Sequence, residues 1–118
     1  MTTIELLQKT QAAWPALSAA PAEEKNRLLL AMADALEEST PAILAANAQD
    51  MADAEGHISA VMLDRLRLDE GRIRAMADGV RAAAALPDHT GRTLAQFTRP
   101  NGMTITKVQV PLGLVAII

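Results

Sequence analysis

The last five residues, 114–118, constrain this chain most, because they read Leu-Val-Ala-Ile-Ile without a charge or a turn residue. An unbroken apolar run of this length is typical of an inner strand in a parallel α/β sheet, buried on both faces. Such a strand is reached from its neighbour through a crossover of a dozen or more residues, usually a helix. No residues after position 118 supply a crossover. We therefore expect this sequence to be a truncated part of a longer protein.

Up to residue 86 the apolar residues recur with the period of a helix, which predicts a series of amphipathic helices. Helix starts are predicted from capping residues and from prolines suited to a first turn. We place these starts at Thr2 or Thr3, Pro21, Ser39 or Thr40 with Pro41, Ser59, and Asp69. Pro15 predicts a kink or an early stop in the first helix. The helix after Asp69 is predicted to have an apolar side formed by Ile73, Met76, Ala77, Val80 and Ala84.

After Pro87 the period of the pattern changes from that of a helix to that of a strand. The stretches "TLAQFT" and "MTITKVQV" flank Arg99-Pro100-Asn101-Gly102. An Asn-Gly pair between two alternating stretches is a strong signal for a hairpin, and it favours a tight type I′ turn. We predict a β-hairpin with Asn101 and Gly102 at its tip.

Composition excludes several classes of function. The formal net charge of −3 argues against a nucleic-acid partner, and the absence of cysteine excludes a thiolate metal site or a Cys nucleophile within these residues. The N-terminal residues lack the long apolar core of a signal peptide, and the terminal apolar run is far shorter than the about 20 residues of a membrane-spanning helix. We expect a cytoplasmic protein without a membrane partner.

Few polar side chains are candidates for a site. Asn47 lies near an apolar helix side, so it either contacts a substrate or bonds to nearby backbone; we favour the backbone. His57 and His89 lack the spacing of metal ligands, so we predict no metal site. Gly91 and Gly102 do not form a phosphate-binding run.

Four arginines, Arg65, Arg67, Arg72 and Arg74, could in principle bind a phosphate. They alternate with the acidic residues Asp64, Asp69, Glu70 and Asp78. That alternation favours a solvated, salt-bridged surface over an anion site.

Four stretches of the sequence together resemble one enzyme family. They are "EEKNRLLLAMADALE", "ILAANAQDMADA", "AVMLDRLRLDEGRIRAMADGVR" and "VQVPLGLVAII". In order and spacing they are similar to the N-terminal part of the gamma-glutamyl phosphate reductase family, also called glutamate-5-semialdehyde dehydrogenases, of the aldehyde dehydrogenase superfamily. The strings "NAQD", "MLDRL" and "VPLG" make the resemblance specific.

The resemblance implies an α/β, aldehyde dehydrogenase-like fold. Residues 1–86 would be the N-terminal helical part of the cofactor-binding domain. Residues 87–111 would be a loop and a hairpin that joins subunits through residues 94–110. Residues 112–118 would contain the first strand of the Rossmann-like sheet, and the catalytic domain would follow beyond it.

The resemblance also implies an activity for the full-length family protein. This activity is the NADPH-dependent reduction of L-glutamyl 5-phosphate to L-glutamate 5-semialdehyde with release of phosphate, in L-proline biosynthesis. The family's nucleophile is a cysteine, and this sequence contains none. We therefore expect no catalytic residue and no activity in this stretch alone. By the same resemblance, the backbone of Ile118 would lie along the NADP cofactor.

Two other interpretations remain open. The chain could be a free-standing helical module whose hairpin binds a partner by strand addition. It could also belong to an enzyme of the same superfamily that acts on another acyl substrate. Coding sequence that continues into a cysteine-bearing domain would favour an enzyme over the module.

Overall fold

A computed structural model describes residues 2–115 and residue 117. Within these residues, five helices are followed by a two-stranded antiparallel sheet. The elements are α1 (Thr3–Ala19), α2 (Ala22–Glu38), α3 (Thr40–Ala54), α4 (Ala60–Leu66), α5 (Glu70–Ala84), β1 (Thr93–Thr98) and β2 (Thr104–Val108). The predicted order of helices followed by a hairpin is confirmed. In the described part of the chain, every helix is too short or too polar to cross a membrane.

The chain forms two compact units. One unit is Glu23–Leu86 and holds nearly all of α2 together with α3, α4 and α5. The other unit is formed by two segments, one before Glu23 and one after Leu86, and contains α1 and the hairpin.

Three of the predicted helix caps are confirmed. The Thr2 hydroxyl accepts a hydrogen bond from the Glu5 N–H, and the Glu5 carboxylate accepts one from the Thr2 N–H at 2.7 Å, which completes a capping box. Ser59 and Asp69 likewise accept hydrogen bonds from backbone N–H groups in the first turns of α4 and α5. These side chains explain why three of the helices begin where they do.

The start of α3 differs from the prediction. Ser39 precedes the helix but makes no side-chain cap. The Thr40 hydroxyl instead donates to the Leu36 carbonyl at 3.4 Å, and Pro41 lies in the first turn. Because α2 ends at Glu38 and only Ser39 separates it from Thr40, the hydroxyl satisfies the end of α2 rather than the start of α3.

The early stop predicted at Pro15 is wrong, because α1 continues to Ala19. Proline lacks an N–H, so it removes one hydrogen bond to the turn before it. No residue of α1 is buried, and a carbonyl that loses its helical partner there can bond to water instead. The cost of the missing bond is therefore small enough for the helix to continue.

Small side chains form the core of the Glu23–Leu86 unit. Ala33, Ile73 and Ala77 are completely buried, and Ala84 is nearly so. Ile73, Ala77 and Ala84 lie on one side of α5 as predicted, whereas Met76 is exposed. At 100° per residue, position 76 lies about 80° from the centre of this buried stripe, and the methionine side chain therefore projects beyond the core.

The turn of the hairpin is not the predicted type I′ turn. A type I′ turn requires positive φ at two central residues, but the described non-glycine residues all have negative φ, Asn101 included. The Gly102 N–H donates to the Arg99 carbonyl at 2.9 Å, and Gly102 has φ of +84°. These features fit a type I turn followed by a glycine bulge. Pro100 explains the difference, because its fixed negative φ suits the first central position of a type I turn.

The register of the hairpin assigns its residues to two faces. The pairs Ala95 with Lys107 and Phe97 with Ile105 share one face. The pairs Gln96 with Thr106 and Thr98 with Thr104 share the other, where the two threonine hydroxyls are 3.3 Å apart. A bulge at Leu94 interrupts the ladder. Every strand residue is exposed except the half-buried Ile105.

The strand predicted at residues 114–118 does not form in the part of that segment that the structure describes. Residues 112–115 and residue 117 lie outside any helix or strand, while residues 116 and 118 lie outside the description. A parallel strand needs a neighbour, and β1 and β2 pair with each other. Leu112 is 94% exposed and Ile117 is 93% exposed, so these apolar side chains lie in solvent.

Candidate functional site

Asn47 lies in the middle of α3 and is only 7% exposed. Its side-chain amide donates to the Leu66 carbonyl at 2.9 Å, and its side-chain oxygen accepts from the Leu68 N–H at 2.7 Å. Both ends of the side chain are therefore occupied by backbone. This confirms the interpretation of Asn47 as a residue that bonds to nearby backbone.

The two hydrogen bonds of Asn47 have a clear structural role. Leu66 ends α4, and Leu68 lies in the connection that leads into α5. A short connection between helices has backbone groups outside the regular helical bonds, and these groups need partners when they are shielded from water. Asn47 supplies both partners from α3 and thereby holds the α4–α5 connection against that helix.

Arg72 shows the salt-bridged surface that the arginine pattern predicts. Its guanidinium is 3.3 Å from the Asp64 carboxylate and donates to the backbone carbonyls of Asp64 and Arg67. Arg72 therefore braces the end of α4 against the start of α5. This confirms the structural interpretation at Arg72.

Arg74 is part of a separate polar cavity of the same unit. Glu37, Thr40, Glu70 and Arg74 line a cavity of about 180 Å³. The charge of Arg74 contributes to lowering the pKa of Glu37. Two carboxylates balance the single guanidinium in this lining, so the cavity does not favour a phosphate.

The most extensive ion-pair network of the described residues surrounds Arg81, which the sequence analysis missed. The Arg81 guanidinium is 2.7 Å from Glu37, 2.9 Å from Asp34 and 3.2 Å from Asp78. Asp34 and Glu37 are three residues apart on α2, and Asp78 is three residues before Arg81 on α5. Side chains at this spacing share a helix face. That spacing was a usable signal, but the pairing of α2 with α5 was not visible in the sequence.

Arg81 changes the pKa of its closest partner. The hydrogen bond from Arg81 lowers the pKa of Glu37 below its ordinary 4.5, against a smaller opposing effect of desolvation. The hydrogen bonds that Arg81 donates to Glu37 and Asp34 in turn raise the pKa of Arg81. A carboxyl whose pKa is lower in the folded state contributes stability above its unfolded pKa and loses it as the pH falls through the folded value.

Replacement of Arg81 by glutamine is therefore expected to reduce stability in a pH-dependent way. The free energy of unfolding should fall near neutral pH, and the difference from the unchanged chain should shrink as the pH drops below about 4.5. Urea denaturation at several pH values measures this difference. Arg27→Gln is the matched control, because Arg27 forms a single 3.5 Å pair with Glu24 on an exposed surface. An Arg81→Gln difference that is constant with pH would contradict the proposed origin.

Neither of the two histidines takes part in these networks. His57 lies in the turn after α3, and His89 lies in the loop before β1. Within residues 2–115 and residue 117, His, Asp and Glu form no group of three or more that could hold a metal ion. Ile118, the candidate cofactor contact, lies outside the described residues.

Comparison with known proteins gives long matches. The chain is 50% identical over 115 residues to a gamma-glutamyl phosphate reductase of Brucella anthropi, and 52% identical over 116 residues to one of Neisseria meningitidis serogroup C. These alignments cover 97% and 98% of the chain. The chain is therefore similar to gamma-glutamyl phosphate reductases along nearly its whole length. Comparison with models of protein families gives no match.

A solved structure gives the same resemblance. The crystal structure of gamma-glutamyl phosphate reductase from Thermotoga maritima superposes with a TM-score of 0.85 at 32% sequence identity. It matches 92% of this chain, which in turn covers 26% of that chain. The chain likewise spans 27% and 28% of the two curated relatives. Most of the length of a gamma-glutamyl phosphate reductase therefore lies outside the residues compared.

The described polar networks are structural. Asn47, Arg72 and Arg81 bond to backbone and to carboxylates of the same helical unit. Asn47 and Arg72, which the sequence offered as candidate substrate or phosphate contacts, are thus engaged in holding helices together.

Proposed function

We propose that the protein containing this chain reduces L-glutamyl 5-phosphate to L-glutamate 5-semialdehyde, using NADPH and releasing phosphate, in the cytoplasmic synthesis of L-proline. The observation that carries this proposal is the identity of about 50% to gamma-glutamyl phosphate reductases along nearly the whole chain. The other acyl substrates that the superfamily resemblance left open have no such support.

We further propose that this stretch contributes structure and no catalytic group. A thioester route requires a thiolate nucleophile, and the sequence contains no cysteine. The buried and paired polar side chains described above serve the helical unit. The chemistry then belongs to the part of the reductase that this chain does not include.

The expected result is that purified residues 1–118 have no reductase activity, while the complete protein does. Oxidation of NADPH with L-glutamyl 5-phosphate measures the forward reaction, and the semialdehyde with phosphate measures the reverse. Turnover by residues 1–118 above a protein-free blank would contradict a non-catalytic role. Failure of the complete protein to release phosphate from L-glutamyl 5-phosphate would contradict the proposed activity.

The cofactor contact at Ile118 remains a proposal that rests on the family resemblance alone. The described residues supply no glycine-rich run that would hold a dinucleotide phosphate; Gly91 and Gly102 lie in separate turns. The choice between NADPH and NADH is a separate question, which is tested by repeating the assay of the complete protein with each cofactor.

The hairpin is proposed to join subunits of the complete reductase. An isolated two-stranded hairpin is marginally stable in water, and both faces of this hairpin are accessible. Phe97 is 51% exposed on the face that it shares with Ile105, and the Arg99 guanidinium lies 5.8 Å from the centre of its ring. An exposed aromatic residue beside an arginine is typical of an interface anchor.

Phe97→Lys in the complete protein tests this proposal through the mass of the assembly. The lysine charge would be buried in the interface without a partner, which weakens the association of the subunits. Light scattering should therefore report a smaller particle than for the unchanged protein. Gln96→Lys adds the same charge to the opposite face of the same strand and serves as the control. If neither substitution reduces the mass, the hairpin does not hold the subunits together.

A further inference from the structure

The tip of the hairpin combines three features that favour a chemical modification. The chain contains three asparagines, and only Asn101 precedes a glycine. Asn101 and Gly102 are both exposed. A methyl group built onto Gly102 would meet nothing within 4 Å. Gly102 thus has no side chain that would shield its main-chain nitrogen from the Asn101 side-chain amide.

We propose that Asn101 is a site of spontaneous deamidation. The Gly102 nitrogen attacks the side-chain carbonyl carbon of Asn101 and loses its proton. The bond from that carbon to the amide nitrogen breaks, and ammonia leaves with the proton. Water then opens the five-membered succinimide at either carbonyl and gives aspartate or isoaspartate. No electrons are transferred, and the chain gains one negative charge.

The folded turn controls access to this reaction. The Gly102 N–H donates to the Arg99 carbonyl at 2.9 Å, and the Asn101 side-chain oxygen accepts from the Met103 N–H at 3.1 Å. Both bonds hold the reacting groups in the geometry of the turn. The end of a two-stranded ladder frays readily, and the reaction proceeds from this opened state of the turn.

The two products differ in their effect on the hairpin. Aspartate keeps the side-chain acceptor for the Met103 N–H. Isoaspartate moves the main chain through the side-chain carbon and lengthens the turn by one methylene group. In the unmodified turn, the Arg99 N–H donates to the Met103 carbonyl at 2.8 Å. The longer isoaspartate turn would displace these two groups from each other. Formation of isoaspartate therefore unravels the end of the ladder.

Two other positions in the chain provide internal comparisons. Asn47 precedes Ala48 within α3, is buried, and has both amide atoms bonded to backbone. Asp78 precedes Gly79 and could form the same succinimide, but it lies inside α5 and pairs with Arg81 at 3.2 Å. Regular helical backbone keeps the nitrogen that follows each side chain bonded and out of reach.

The test is peptide mapping of the complete protein after incubation at mildly alkaline pH. The segment from Thr93 to Lys107 contains no asparagine other than Asn101, so a mass increase of about one unit on it reports the reaction. Conversion at Asn101 should exceed that at Asn47 by at least about tenfold, or about 1.4 kcal/mol in activation free energy. Equal conversion at the two asparagines would overturn the proposal.

A second measurement tests control by the turn. Mild urea that opens the hairpin should accelerate conversion at Asn101; an unchanged rate would overturn reaction from the opened state. Amide exchange of Arg99 then separates the two products. In the Asn101→Asp variant the Arg99 amide should remain protected from exchange, whereas in protein rich in isoaspartate it should lose this protection. Retained protection in the isoaspartate form would overturn the structural consequence.

Discussion

Replacing Asn47 by leucine is expected to lower the free energy of unfolding of the chain by about 2–4 kcal/mol. The substitution keeps the number and branching of the side-chain heavy atoms but removes both hydrogen bonds to the α4–α5 connection. Each backbone group left without a partner costs about 1–3 kcal/mol when buried. Two such groups would together cost about 2–6 kcal/mol. Leu66 and Leu68 are only half-buried, so we expect a value in the lower part of this range. Urea denaturation followed by circular dichroism at low micromolar concentration measures the change.

Two variants of the same helix sharpen the Asn47 experiment. Gln49→Ala removes an exposed hydrogen bond to Asp53, four residues later, and should cost only about 0.2–0.5 kcal/mol. Asn47→Asp keeps the acceptor for the Leu68 N–H but places a second acceptor against the Leu66 carbonyl. Its effect should approach that of Asn47→Leu. A cost for Asn47→Leu no larger than that of Gln49→Ala would show that the buried bonds do not stabilise the unit.

The second large effect concerns the exposed apolar residues near the end of the chain. Val110, Leu112, Leu114, Val115 and Ile117 are all exposed. Burial of one such side chain is worth about 1.5–3 kcal/mol. We expect residues 1–118 to self-associate through this segment, whereas residues 1–109 remain less associated with their helices intact.

Light scattering of the two chains at matched concentration measures the difference, and circular dichroism confirms that helix content is the same. Both chains retain the hairpin, so association through β1 and β2 is common to them and cancels in the comparison. A monomeric 1–118 chain at about 100 μM, where exposed apolar segments normally associate, would contradict this expectation. The segment would then be covered within its own chain.

Local signals were the most reliable part of the sequence. Thr2, Ser59 and Asp69 cap helices as predicted, since a cap depends only on residues within one turn. The hairpin was placed correctly, but its turn type was not, because Asn-Gly outweighed Pro100 in the prediction. The early stop predicted from Pro15 was also wrong, since an exposed helix can tolerate a missing bond.

Long-range partners were visible only in part. The preference of Asn47 for backbone followed from its place near an apolar side, but its partners lie 19 and 21 residues away. The distances from Arg81 to Asp34 and Glu37 in sequence are 47 and 44 residues. Periodicity states which face of a helix is buried and leaves open which helix covers it. The family resemblance, rather than any pattern, supplied the activity.

The alanine-rich core of the Glu23–Leu86 unit has a consequence for helix alignment. Alanine methyl groups have no rotamers and form a smooth surface. A helix that shifted along its neighbour would therefore meet a nearly identical surface. Apolar packing at Ala33, Ala77 and Ala84 therefore discriminates weakly between alternative alignments. Directional bonds discriminate strongly, because a shifted helix leaves their donors and acceptors unmatched. The hydrogen bonds and ion pairs of Asn47 and Arg81 thus fix the alignment of the helices, which packing of the methyl groups alone would leave open.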